Sequence, residues 1–324
     1  MRRSVRGILL ALACTAGVAA RLPDWRWALP AGVARPLLPP DNPMTAVRVE
    51  LGRRLFYDAD LSLDGTMACA ACHEQKHGFA DGNRTRSGVT GEAGRRNVPG
   101  LANVAWMAPL TWADPRQTSL EAQVAVPMLG DHPVEMGMKG REAEISRRLA
   151  RDPCYVRQFR SAFPERQGVI GLETVALALA AFERTLVSFG SAYDRGEFSE
   201  AAGRGGVVFA RACANCHGGP HFADGAFHRL EPVVARDRGL GEITGRIEDD
   251  GRFRTPGLRN VAVTAPYFHD GAAVDLGAAI ERHGIALTMV ERGEIIAFLE
   301  ALTDPDFLSD PRFALPQKAC GRPL

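Results

Sequence analysis

The chain has 324 residues with 39 Lys and Arg against 38 Asp and Glu, a net charge of +1, so bulk charge offers no attraction for nucleic acid. That length suffices for the core of one large domain or two smaller ones. Aromatic residues make up 7%, strand-type alternation is scarce and Ala, Leu, Arg and Glu abound, which predicts a mainly α fold.

Residues 1–20 read as a secretory signal peptide: Arg2, Arg3 and Arg6, an apolar run from Gly7 to Ala13, then the small residues Val18, Ala19 and Ala20 for cleavage. The run is too short to span a membrane, and no later stretch is long enough. The mature protein is therefore expected in an exported, periplasmic compartment. Cys14 either leaves with the leader or becomes a lipid tether, although Ala11, Leu12 and Ala13 before it make a poor lipobox.

Residues 21–43, rich in Pro and Ala, predict an extended lead-in. "MTAVRVELGRRLFYDADLS" predicts a helix running into a turn, with Val47, Leu51 and Leu55 on one face. A CxxCH unit follows, then the glycine-rich charged loop "DGNRTRSGVTGEAGRRN". Ser119 is placed to cap a helix through "SLEAQVAVPML", and "REAEISRRLARD" predicts another. "LETVALALAAFERTLVSF" is apolar around most of its circumference and predicts a deeply buried helix. After "GSAYDRGEFSEAAGRGGVVFAR" comes a second CxxCH. Each half thus has a helix ending in CxxCH, then "HGFADG" or "PHFADG", then "RRNVPGLANV" or "RTPGLRNVAV", in the order expected of a duplication. The boundary is expected near Phe189, giving domains 21–189 and 190–324.

In CxxCH the two thiols add across the vinyl groups of a haem, and the histidine becomes an axial ligand of its iron. Two such units behind a signal peptide predict two covalently bound haem c, at Cys69, Cys72 and His73 and at Cys213, Cys216 and His217. Beyond these and Cys14, Cys154 and Cys320 remain, and spacing leaves open a disulfide or two separate thiols. His77 and His221 follow their anchor histidines too closely to reach the far haem face. His132 and His228 look like loop residues. His283, ending the predicted helix "LGAAIERHG", either returns over the second haem or serves as a C-terminal cation beside Gly284, and spacing alone does not choose.

The two CxxCH units, "RRNVPGLANV", "VPMLGDHPVEMG" and "LRNVAVTAPYFHDGA", in this order, resemble the bacterial dihaem cytochrome c peroxidase and MauG family over about residues 51–302. The resemblance implies two cytochrome c-like haem domains packed together with a calcium ion between them. It implies a peroxide-reactive N-terminal haem and a low-spin C-terminal haem that exchanges electrons. It makes the Asn97 side chain and the Thr264 and Pro266 carbonyls the calcium ligands, oxygen donors suited to Ca²⁺. It makes Trp112 a relay between the haems and sets His269 beside the second haem. Gln123, Pro127 and Glu135 become the pocket over the first haem, although the loop from Pro127 to Glu135 is longer than the family pattern. Splitting peroxide asks for a proton to pass from one oxygen to the other. A carboxylate in that place can carry it, the role expected of Glu135, with Gln123 positioning peroxide or water.

This sequence departs from the family pattern twice. The loop "GFADGNRTRSGVTGEAGRR" lacks the histidine that caps the first iron in conventional peroxidases, so that iron is expected to stay open, as in MauG. The position holding methionine in the peroxidases and tyrosine in MauG falls on His283, which implies a bis-histidine second haem of low potential. The expected activity is an exported enzyme that reacts with hydrogen peroxide at the first haem and oxidises a protein partner through Trp112 and the second. In an MbnH-like subgroup the product is an oxidised tryptophan on a copper-binding partner. The alternatives are a cytochrome c peroxidase fed by a small redox protein and a non-catalytic dihaem electron carrier. An open, carboxylate-bearing pocket argues against the carrier.

Overall fold

A computed structural model describes residues 25–230 and 236–323; the expected signal peptide and Cys14 lie outside them. In chain order the helices are α1 (Ala46–Phe56), α2 (Cys69–Cys72), α3 (Leu120–Gln123), α4 (Ala125–Leu129), α5 (Glu142–Leu149), α6 (Pro153–Ala162), α7 (Leu172–Glu183), α8 (Ala192–Arg195), α9 (Glu200–Ala212), α10 (Leu240–Thr244), α11 (Leu276–Arg282) and α12 (Met289–Glu300). Two antiparallel ribbons, β1 (Phe227–His228) with β2 (Phe253–Arg254) and β3 (Lys318–Ala319) with β4 (Arg322–Pro323), complete it. His228, expected in a loop, therefore stands in a short strand. The stretch "SLEAQVAVPML" breaks into α3 and α4 because Pro127 has no N–H for the Gln123 carbonyl.

A crossed pair of helices frames each half. On α1, Leu51, Gly52, Leu55 and Phe56 are buried, while Val47, expected on that face, is exposed. The buried stripe is set by the crossing with α7, which is so close that a Cβ added at Gly52 would sit 1.9 Å from the Ala178 carbonyl oxygen. In the second half α9 crosses α12 likewise, and a Cβ at Gly205 would sit 1.9 Å from the Glu294 carbonyl oxygen. Residues Thr174 to Glu183 of α7 are all buried. The helix stops short of Phe189 because Asn103 takes the peptide groups that would prolong it. The Asn103 N–H donates to the Leu186 carbonyl at 2.8 Å, and the Ser188 N–H donates to Asn103 Oδ1 at 2.7 Å. Asn260 does the same beyond α12, donating to the Leu302 carbonyl at 3.1 Å and accepting from the Asp304 N–H at 2.8 Å. Both asparagines are left-handed, at φ 56° and 62°, a conformation asparagine tolerates better than most residues.

One buried cluster runs from Leu51 to Leu186 and a second joins Val208, Phe209, Phe222, Ile295, Phe298 and Leu302. The C-terminal tail leaves the second and returns to the first. Phe307 and Phe313 are buried there, Tyr57 donates its hydroxyl proton to the Phe313 carbonyl at 2.7 Å, and Cys320 is disulfide-bonded to Cys154 on α6. Among the described residues no helix is long and apolar enough to cross a membrane.

Replacing Gly52 by alanine forces α1 and α7 apart. The expected cost is about 1–3 kcal/mol, read as a lower urea midpoint at unchanged slope. An unchanged midpoint would show slack at the crossing.

Candidate haem sites

The two CxxCH segments fold alike. His73 lies at the end of α2 with Nδ1 2.7 Å from the Phe79 carbonyl oxygen, and His217 Nδ1 lies 3.0 Å from the Phe222 carbonyl oxygen. Phe79 and Phe222 are both left-handed, at φ 64° and 56°, which turns each carbonyl back on its histidine. A ring that donates from Nδ1 keeps Nε2 unprotonated and aimed elsewhere, as an iron ligand requires. Cys69, Cys72, Cys213 and Cys216 take part in no disulfide. Burial pushes the Cys72 thiol up to about 11. Cys69 and His73 are enclosed by protein yet keep accessible surface, so that surface faces an internal space.

Of the residues expected over the first site, Pro127 and the Glu135 segment lie side by side. The Met136 N–H donates to the Pro127 carbonyl at 2.9 Å and the Val89 N–H donates to the Glu135 carbonyl at 2.8 Å, which pins residue 135 between α4 and the charged loop. A Cβ at Gly88 would fall 1.9 Å from the Val134 carbonyl oxygen, so that loop lies directly against it. Asp131 and His132 of the longer loop are exposed. Glu135 is exposed at its surface, yet the protein packed around it pushes its carboxyl pKa up, and its charge in turn helps raise the Cys72 thiol. It stands near the first anchor in a partly dry space, able to hold a proton at higher pH than an ordinary carboxyl. Gln123 is half-buried at the end of α3. His77 turns away: its Nδ1 lies 3.2 Å from the Val263 carbonyl oxygen of the other half.

The second anchor opens on a cavity of about 430 Å³ lined by Cys213, Cys216, His217, His283 and His269 among mostly apolar side chains. The His217 and His283 ring centroids are 6.3 Å apart. Two Fe–N bonds of about 2 Å and half a ring on either side add to roughly that span. His283 Nδ1 lies 2.7 Å from the Ala279 carbonyl oxygen one turn back on α11, which leaves Nε2 for a ligand. Arg254 lines the same wall, is buried, and has its pKa lowered to about 10 by burial. Among the described residues no carboxylate pairs with it, so the cavity presents a dry cation to an anionic group such as a haem propionate. His269 stacks on Phe253 at 3.5 Å. Donor set, span and buried cation fit a covalently held haem.

Trp112 joins the halves. It is buried, donates from Nε1 to the Asn97 carbonyl at 2.8 Å, and accepts the Arg254 N–H on its own carbonyl at 2.8 Å. Asn97, Thr264 and Pro266 border the cavity with it. The Asn97 amide nitrogen donates to the Asn83 carbonyl at 2.9 Å, which leaves Oδ1 for a cation.

One acid near the first site was not singled out by the sequence. Glu183, buried on α7, has its pKa pushed up to about 8 by burial, against partial relief from Arg184, and its charge helps raise the Cys69 thiol. A carboxylate at the end of a helix that is buried on all sides was the available signal. The folded state holds a proton there that the unfolded chain releases, so stability falls as pH rises from about 4.5 to about 8. Glu183→Gln should flatten the Tm-against-pH curve across that window; an unaltered slope would show that Glu183 is ionised throughout.

Known proteins resemble this chain over most of its length. The di-haem cytochrome c peroxidase family matches residues 46–200. The methylamine utilization protein MauG of Methylorubrum extorquens is 33% identical over 289 residues, 82% of this chain and 80% of that one. The cytochrome c551 peroxidase of Pseudomonas aeruginosa is 32% identical over 282 residues, 81% of this chain and 80% of that one. The crystal structure of a MauG-like protein associated with microbial copper homeostasis superposes with a TM-score of 0.86 at 36% identity, covering 91% of this chain and 100% of that one. The chain is a dihaem oxidoreductase belonging to the di-haem cytochrome c peroxidase and MauG family.

Proposed function

We propose that this protein reacts with hydrogen peroxide at an open N-terminal haem and uses the oxidising power on a protein partner through the C-terminal haem. The observation that carries this is the occupation of His77. Its ring is spent on the Val263 carbonyl, and no other histidine occurs before the exposed His132, so nothing in the following loop caps the first site.

Haem, when bound, supplies an iron that reduces peroxide in the first half and an iron that exchanges electrons in the second. Cys69, Cys72 and His73 hold the first, and Cys213, Cys216, His217 and His283 hold the second. Glu135 takes a proton from one peroxide oxygen and returns it to the other, and its raised pKa suits both steps. Gln123 positions the peroxide, and Pro127 braces the Glu135 segment through its carbonyl. Trp112 bridges the halves. His269, flat against Phe253, walls the second site. Asn97, Thr264 and Pro266 hold a calcium ion that fixes the halves around Trp112. The likeness to a MauG-like protein associated with copper homeostasis favours a partner from copper handling; a tryptophan is the residue proposed to be oxidised on it.

Hydrogen peroxide added to the ferric protein without reductant should change the haem spectrum at once, starting from one high-spin and one low-spin centre. Two low-spin centres that react only after half-reduction would favour a cytochrome c peroxidase; two that never react would indicate a carrier. Glu135→Gln should slow the peroxide reaction by about 10²- to 10⁴-fold and leave both resting spectra alone. His283→Gly should render the second haem high-spin, and a retained low-spin signal would remove His283 as its ligand.

A further inference from the structure

The chain has four tryptophans, and Trp106, Trp27 and Trp25 stand in contact one after another. His221 lines the second-haem cavity. Behind it stands Trp106, its ring centroid 5.4 Å from that of His221. Trp27 follows at 6.1 Å and Trp25 at 6.4 Å, each edge to face. Trp25 and Trp27 are half-buried beside the exposed Arg26 and Ala28, so the line ends at the molecular surface. These separations lie within the range of direct aromatic contact. Electron tunnelling weakens steeply with gap, and indole is among the most easily oxidised of side chains, so a row of touching indoles conducts oxidising equivalents.

Two details suit such a line. His221 Nδ1 is buried with no hydrogen-bond partner, and burial, with the nearby Arg259 charge, lowers its pKa to about 4. The imidazole is thus neutral at working pH and adds no positive charge to oppose loss of an electron from Trp106. Trp106 is held by donation from Nε1 to the Ala34 carbonyl at 2.9 Å, which ties the arm bearing Trp25 and Trp27 to the body.

We propose that Trp106, Trp27 and Trp25 form a discharge line that carries oxidising equivalents from the second-haem cavity to the surface when no partner takes them. It rests on the peroxide chemistry proposed above. Each hydrogen peroxide takes two electrons and two protons, its O–O bond breaks, and two waters form. The electrons come through the line from one indole, which also releases two protons to solvent and gains a hydroxyl from water through a new C–O bond. Net, one tryptophan and one peroxide become one hydroxytryptophan and one water.

The test treats the holoprotein with peroxide in heavy-oxygen water, without oxygen gas or partner, and maps oxidation by peptide mass spectrometry. Oxidation should concentrate at Trp25 and Trp27 and carry the heavy oxygen. Trp106→Phe should abolish it there and lower partner-free peroxide consumption, with resting haem spectra unchanged. Trp27→Phe should abolish it at Trp25 while Trp106 becomes oxidised instead. Oxygen drawn from peroxide, or equal modification in Trp106→Phe, would mean direct chemical attack and overturn the proposal. Peroxide consumed with no tryptophan product overturns the line alone. Peroxide left unconsumed overturns the enzymatic function and the line together.

Discussion

One hydrogen bond in each half, between a histidine Nδ1 and the carbonyl of a left-handed phenylalanine, sets where the rest of each site can stand. It fixes the tautomer, and with it which nitrogen is free for iron. It also fixes the ring relative to two thiols that lie on the turn just before it. The phenylalanine has no latitude, because its backbone is positive in φ at both Phe79 and Phe222. Glycine would adopt that conformation more easily, but would leave out a ring that each core uses: Phe79 packs on Phe56 and Phe307, and Phe222 on Phe209 and Phe298. The left-handed turn is held by burial of the side chain that would otherwise oppose it.

The two halves remain alike where they hold a haem and differ where chemistry enters. The glycine at the helix crossing, the asparagine at the helix end and the anchor turn are duplicated. Glu135 and His283 have no counterpart in the opposite half. The first half keeps a carboxyl in a partly dry space, where burial favours its neutral form. The second keeps a buried arginine with no carboxylate partner among the described residues, where burial works against the charge until an anion arrives. One half thus stores a proton and the other a place for negative charge. On the proposed function, that division would separate a site for proton-coupled bond cleavage from a site for electron exchange.

Much of this was legible in the sequence. CxxCH is readable because thioether and iron bonds constrain a few consecutive residues. The repeat is readable because turns need particular residues at particular offsets, and α7 because burial on all sides demands apolar residues on all sides. The placement of Val47 failed because a close helix crossing is decided by a glycine, and apolar periodicity ignores glycine. The break at Pro127 was available from its missing N–H. The pairing of Cys154 with Cys320 and the return of the tail to the first core depend on contacts far apart in the chain, which no local pattern encodes. Glu183 hid because a helix that buries its whole surface looks uniform, and the charged residue in it reads as an edge.

Asn97 concentrates the coupling between the halves. Its N–H donates to the His269 carbonyl at 2.7 Å, its carbonyl receives the Trp112 indole, and its amide nitrogen donates to the Asn83 carbonyl. A cation on the remaining Oδ1 would therefore do more than tie two surfaces together. It would hold the carbonyl that fixes the indole between the halves, while the Arg254 N–H holds that residue's own carbonyl from the other side. The orientation of Trp112 and the closure of the halves then respond to the same bonds, so loosening the proposed calcium site disturbs the path between the haems before it disturbs either haem.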